Sequence, residues 1–236
     1  SGIEDAPRAA SFIYHTKEKN KASWGVSYLS DRVYVENQGI VAVDYSYKLT
    51  LGSNTNLYLG IKAGAIYNNL DATGLDRITQ ESNANLNSVQ NYMNPLVGTG
   101  FLLKGKKYFI GLSTPDMLNS KRYKKEEGLA TSPTDKPHLY TTAGYHLKLN
   151  NTITLSPSML YRMVADAPNQ LTAIAKLTLK EKVSLGVGMS NNDYISTILQ
   201  FKMKQMDLGF GYEIGQRTSA TALRANTSEM MLRYRF

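Results

Sequence analysis

A chain of 236 residues, 42% hydrophobic and 19% charged, carries too much apolar side chain to stay disordered and has the length for one large domain or two small ones. It has no cysteine, which removes disulfides, thiol nucleophiles and thiolate-held metals. Net charge is +8 and mean hydropathy −0.33, and no apolar run approaches the roughly 18 residues of a transmembrane helix; a membrane barrel is not excluded, because its two strand faces cancel in hydropathy.

Period two runs through almost the whole chain. It predicts thirteen strands, over 10–15, 22–30, 38–51, 57–68, 96–104, 107–114, 138–149, 152–164, 171–179, 183–190, 194–203, 206–215 and 226–236. In 57–67, Leu57, Leu59, Ile61, Ala63, Ala65 and Tyr67 oppose Tyr58, Gly60, Lys62, Gly64 and Ile66. In 183–190, Val183, Leu185, Val187 and Met189 oppose Ser184, Gly186, Gly188 and Ser190. In 206–214, Met206, Leu208, Phe210, Tyr212 and Ile214 oppose Asp207, Gly209, Gly211 and Glu213. The chain stops on Met-Met-Leu-Arg-Tyr-Arg-Phe, where Met230, Leu232, Tyr234 and Phe236 share one parity and Glu229, Arg233 and Arg235 the other.

Most of these strands exceed the five or six residues usual in soluble sheets and match the nine to eleven of a membrane-crossing strand. The connections sort by length. Those after odd-numbered strands are short, such as Gly105-Lys106, Asn150-Asn151 and Lys204-Gln205, and suit hairpins. Those after even-numbered strands include 69–95 and 115–137. Short turns on one rim and long loops on the other organise an outer-membrane barrel. The expectation is therefore an all-β fold, a transmembrane up-and-down antiparallel β-barrel occupying 1–236 as one domain. Thirteen strands are visible. Because such barrels have even strand numbers, one strand is expected to precede Ser1, giving about fourteen. The C-terminus then lies on the periplasmic side of a bacterial outer membrane.

On the parity away from lipid lie Asp44, Lys48, Lys62, His146, Lys148, Arg162, Lys176, Lys202, Asp207, Glu213, Glu229, Arg233 and Arg235. Towards lipid, each Arg or Lys at mid-depth would cost about 2–4 kcal/mol, so these side chains are expected in the lumen. There they form a structural network or line a path for an inserted segment or ion. Trp24, Tyr28, Tyr45, Tyr47, Tyr67, Tyr145, Tyr161, Tyr212 and Tyr234 fall on the lipid parity, as interface girdles require. The polar loops offer Asp76, Arg77, Lys121, Arg122, Tyr123, Lys124 and Lys125 as partner contacts.

Catalytic and cofactor chemistry finds no foothold. The histidines are His15, His138 and His146, and the last two stand roughly 26 Å apart along one strand at about 3.3 Å per residue. No HExxH or GxSxG pattern occurs, so no catalytic residue, metal ligand or cofactor site is assigned. Gly98-Thr99-Gly100 and Gly209-Phe210-Gly211 precede no helix and read as small inward residues. The basic charge lacks any nucleic-acid-binding motif, so nucleic acid is not expected as a partner.

Several blocks resemble the PorP/SprF family of outer-membrane proteins from Bacteroidetes. They are Gly2-Ile3-Glu4-Asp5-Ala6-Pro7-Arg8, Asp44-Tyr45-Ser46-Tyr47-Lys48-Leu49, Leu57-Tyr58-Leu59-Gly60-Ile61-Lys62-Ala63-Gly64, Asn94-Pro95-Leu96-Val97-Gly98-Thr99-Gly100 and Phe109-Ile110-Gly111-Leu112-Ser113-Thr114-Pro115. Pro157-Ser158-Met159-Leu160, Gly211-Tyr212-Glu213 and Ser228–Phe236 continue them in order. The resemblance implies a non-enzymatic component of type IX secretion and gliding. It would help secrete or anchor a cell-surface adhesin that carries a type B C-terminal domain, alongside other type IX components, in a bilayer with lipopolysaccharide. The alternative is a passive outer-membrane solute channel, which needs an open aqueous path.

Overall fold

The structure, a computed structural model, describes residues 8–33, 36–71, 89–118, 120–121, 134–191, 194–215 and 226–236. No helix occurs among them. In chain order the strands are β1 (Arg8–His15), β2 (Ala22–Val33), β3 (Glu36–Gly52), β4 (Thr55–Asp71), β5 (Val89–Lys104), β6 (Tyr108–Thr114), β7 (Ser120–Lys121), β8 (Thr134–Asp135), β9 (His138–Tyr145), β10 (Leu147–Lys148), β11 (Ile153–Val164), β12 (Gln170–Leu179), β13 (Val183–Ser190), β14 (Tyr194–Lys202), β15 (Met206–Gly215) and β16 (Thr227–Tyr234).

All but β7 and β8 belong to one 14-stranded antiparallel sheet. Its path is β1-β2-β3-β4-β5-β6-β9-β11-β12-β13-β14-β15-β16, with β10 added beside β11. Neighbours in sequence are neighbours in space, the up-and-down order that the alternating pattern predicts. The all-β class and the sheet's strands follow the sequence expectation closely.

Three boundaries differ. The polar stretch expected as a loop over 69–95 narrows, because β4 runs to Asp71 and β5 begins at Val89. Asparagines usually mark turns, but here they bridge strands: Asn69 Nδ2 donates to Asn91 Oδ1 at 2.6 Å, and Tyr67 Oη donates to the same oxygen at 3.0 Å. The segment 115–137 contains the short pair β7–β8, with Ser120 opposite Asp135. The predicted strand 138–149 breaks at His146, whose N–H donates to the Lys107 carbonyl at 2.6 Å.

The chain divides into two compact units. One comprises Ser1–Leu49, Tyr58–Phe101 and Ser113–His138; the other comprises Thr50–Leu57, Leu102–Leu112 and Leu139–Phe236. In the second unit the alternation of burial is inverted from that of a soluble sheet. Leu171, Ala173, Ala175, Leu177 and Leu179 of β12 are exposed, while Gln170, Thr172, Lys176 and Thr178 are half-buried. Leu185 of β13 is 60% exposed beside buried Gly186 and Gly188. Register stacks apolar residues into rows across strands. One row is Ile153, Leu179, Val183, Phe201, Leu208 and Leu232; the next on that face is Leu155, Leu177, Leu185, Leu199, Phe210 and Met230. Leaving one Leu or Phe in water forgoes about 1.5–3 kcal/mol, so an unbroken face of them requires an apolar surrounding. That is the arrangement of a lipid-facing surface.

The first unit holds the tightest packing. Ala42, Ile66 and Leu96 are buried, with Ile40 against them. Gly64 permits this approach: a Cβ there would overlap the Val41 carbonyl oxygen and stand 2.8 Å from the Ala42 Cβ. Two tight turns also have a backbone cause. Asn20 and Lys21 have φ of 53° and 65°, and Lys180 and Glu181 have 48° and 56°. Paired positive φ values are the mark of the type I′ turn, whose twist matches that of the strands it joins.

Gly64→Val is expected to cost about 1–3 kcal/mol through overpacking, whereas Gly52→Ala, with nothing within 4 Å of its added Cβ, should be close to neutral. The test is the temperature at which the folded form loses its faster migration on unboiled gels. Equal midpoints for the two variants would contradict the close packing at Gly64.

Candidate functional site

The covered face of the sheet carries the charges. In the first unit, register places His15 opposite Gly25 and Gly25 opposite Asp44. Lys62 of β4 reaches this row: its Nζ lies 3.1 Å from Asp44 Oδ1 and donates to Ser27 Oγ at 3.0 Å. Ser27 Oγ in turn donates to Asp44 Oδ2 at 3.0 Å. The three side chains close a triangle in which each polar head has two partners. They line a cavity of about 320 Å³ together with Ile13, His15, Ser23 and Ser46. Lys48, two same-face positions along β3 from Asp44, pairs with Glu18 at 3.1 Å.

Further up this face, buried Asn68 accepts from Gln38 Nε2 at 3.0 Å. Polar pairing thus continues above the buried Ala42–Ile66–Leu96 cluster. The partners Ser27, Glu18, Gln38 and Asn68 were not singled out from sequence. Parity places Ser27, Gln38 and Asn68 on this face, while Glu18 lies in the β1–β2 connection, and only the structure shows which of them meet.

In the second unit, one row on this face runs from covered Ser156, Lys176, Gly186, Ile198 and Gly211 to exposed Glu229. Lys176 Nζ leans along the sheet to donate to Gln200 Oε1 at 3.3 Å. His146 Nδ1 is 2.9 Å from Ser156 Oγ, beside Phe109 at a ring distance of 6.2 Å. Glu213 stands opposite Thr227, one covered row away from Glu229. Arg162 lines a second cavity of about 220 Å³ with Tyr140, Leu160, Gln170 and Thr172, and its Nε is buried without a hydrogen bond.

At the end of this unit Asp207 is the hub. It stands between Lys202 and Arg233 in register, accepts from Arg235 Nη2, and lies 3.9 Å from Arg233 Nη1. Lys148, opposite Thr154, and Lys202 are exposed.

The predicted charged set therefore falls into two groups, Asp44, Lys48 and Lys62 in one unit and the remainder in the other. Among the loop candidates, Lys121 lies in β7, with its backbone paired to Thr134. Asp76, Arg77, Arg122, Tyr123, Lys124 and Lys125 lie outside the described residues. On the apolar face, Trp24 packs on Tyr45 at 4.6 Å between ring centres and Tyr234 on Phe236 at 4.9 Å, edge to face. Trp24, Tyr28, Tyr47, Tyr67, Tyr145 and Tyr234 are exposed, while Tyr45, Tyr161 and Tyr212 are half-covered.

A charged, glycine-lined covered face beneath an exposed apolar face is a membrane arrangement, and one further observation names its kind. The family model of the type IX secretion system membrane protein PorP/SprF matches residues 1–234. The chain belongs to this family. No curated protein matches it. Membership makes it a membrane component of type IX secretion, with other components of that system as its partners. For a PorP/SprF protein the ionic clusters have a defined physical use: they satisfy charges on the face turned from lipid. No cluster of His, Cys, Asp or Glu able to hold a metal ion occurs among the described residues.

The Asp44–Lys62 pair is partly exposed, so its coupling is expected to be modest. Asp44→Ala and Lys62→Ala should each lower unfolding free energy by about 1 kcal/mol, and the double variant by less than their sum. A double-mutant cycle from urea unfolding in detergent measures this, and strict additivity would show that the two side chains act independently.

Proposed function

We propose that this protein is an outer-membrane barrel that secretes or anchors a cell-surface adhesin through the adhesin's type B C-terminal domain, with its own C-terminus on the periplasmic side. Membership in the type IX secretion family carries the reading. The exposed apolar rows, the covered charges and the aromatic pairs support a bilayer-spanning position. The proposed role is one of holding and guiding a polypeptide, with no catalytic step assigned to any residue.

The covered face favours an anchor over a solute channel. Its buried apolar residues, Ala42, Ile66 and Leu96, pack together over a stretch that a channel would line with water. The partner is proposed to engage the long-loop end, through 69–95 and 115–137 with Asp76, Arg77, Lys121, Arg122, Tyr123, Lys124 and Lys125. The charged covered residues below offer complementary contacts to an inserted segment.

Purification from native outer membranes in mild detergent should recover a large secreted protein with the barrel in stoichiometric amount. Charge reversal at Lys121, Arg122, Lys124 and Lys125 should cut that recovery by about tenfold while barrel abundance stays unchanged. Mass spectrometry of the eluate reads both quantities. A bare barrel that conducts steadily in planar bilayers would replace the anchor reading with the channel one.

A further inference from the structure

Pairing in the second unit gathers its short connections at one end. Ile153 faces Leu179, Val183 faces both Leu179 and Phe201, and Phe201 faces Leu208, so turns 149–152, 180–182 and 203–205 lie side by side. The turn at 105–107 joins them through the His146 N–H bond to the Lys107 carbonyl. This end bears Lys106, Lys148, Lys180, Lys182, Lys202 and Lys204, all exposed and none in an ion pair among the described residues. Glu181 is the one acid within these four turns, and nearby Asp207 is already engaged by Arg233 and Arg235. Among the described residues of the opposite end, 165–169 and Asn191 carry no Lys or Arg. Among the described turns of this unit, the lysines are gathered at this end.

We infer that this lysine-bearing end binds the phosphate headgroups of anionic phospholipids in the adjoining leaflet. Position decides between a leaflet and an acidic protein. Lys180 follows Leu179 and Lys182 precedes Val183, and both apolar residues belong to the last exposed apolar row before the turns. The ammonium groups sit on flexible four-carbon stems just past the edge of that row, which is headgroup depth. Tyr234, whose hydroxyl donates to Gln205 Oε1 at 3.4 Å, and its ring neighbour Phe236 mark the same boundary. The I′ turn at Lys180-Glu181 fixes the backbone from which this lysine extends. The inference rests on reading the exposed apolar face as lipid-facing.

The test is native mass spectrometry of the full chain in detergent, offered phosphatidylglycerol and phosphatidylcholine in equal amounts. The wild type should retain phosphatidylglycerol in preference by about fivefold or more. That preference should fall towards one in the Lys106→Glu, Lys180→Glu, Lys182→Glu, Lys204→Glu variant and persist when the same four become Arg. Should the Glu variant fail to fold, the wild type measured at low and high salt gives the same reading, since headgroup attraction is screened. A wild type with no preference, or a folded Glu variant that keeps it, overturns the inference. Binding of soluble polyglutamate without discrimination between the lipids also overturns it, in favour of an acidic protein partner. Refolding into pure phosphatidylcholine vesicles, read by heat-modifiable migration, separately tests the membrane reading: failure there removes the lipid-facing assignment itself.

Discussion

Backbone hydrogen bonding is the constraint from which the rest of this structure follows. In hydrocarbon an unpaired N–H or C=O costs several kcal/mol, and no water is present to relieve it. A ladder of strands in chain order satisfies these groups between neighbours without help from side chains. Both faces of the sheet are thereby released to meet different surroundings. Leu177 and Leu185 can turn outwards while Lys176 and Gly186 turn away from lipid, because neither face has to supply partners for the backbone. The short turns serve the same end: a two-residue I′ turn such as Lys180-Glu181 returns the chain while leaving little backbone outside the ladder.

Once the faces are separated, the covered one must be filled, and the two units fill it differently. The first packs Ile40, Ala42, Ile66 and Leu96 closely, and needs Gly64 to admit Ala42. The second alternates long charged side chains with glycine. Gly186 lies beside Lys176, and Gly211 beside Glu229, so each long side chain has a gap to lie across. Lys176 uses such a gap to reach Gln200 two strands away. Ionic pairing here is better seen as a way to keep charges satisfied away from lipid than as a large source of stability, since pairs of this exposure contribute little. A face that is packed in one unit and charge-lined in the other suits the proposed holding of a polypeptide more readily than free solute flow.

Much of this was legible in the residues because a strand has a period of two and tolerates no drift. Parity alone separates Leu208, Phe210 and Ile214 from Asp207, Gly209 and Glu213, and register then fixes every neighbour. What parity does not encode is reach. Nothing in the spacing indicates that Lys62 crosses to Ser27 and Asp44, or that His146 leaves the ladder and meets Ser156. Propensity misleads at strand ends: Asn69 and Asn91 read as loop residues, yet their amides pair across strands and lengthen β4 and β5. At Lys180-Glu181 the strand boundaries are as the pattern predicts, though the pair lacks the Asn-Gly chemistry usual in an I′ turn. The family blocks fixed the identity of the system, since a charge-lined membrane sheet by itself specifies no partner.

The last strand shows how these terms combine. Among the described residues β16 pairs with β15, from Met206 opposite Tyr234 to Glu213 opposite Thr227. Its register with β15 must come from the backbone ladder and from contacts at its end. Those contacts are concentrated: Asp207 holds Arg235 and faces Arg233, the Arg235 N–H donates to the Gln205 carbonyl at 2.8 Å, and the Tyr234 hydroxyl reaches the Gln205 side chain. A slip of one residue would turn Arg233 and Arg235 to lipid and Leu232 to the charged face, at about 2–4 kcal/mol for each misplaced arginine at mid-depth and less near the boundary where these two sit. Alternating apolar and basic residues at this strand's end thus specify its register from both faces at once.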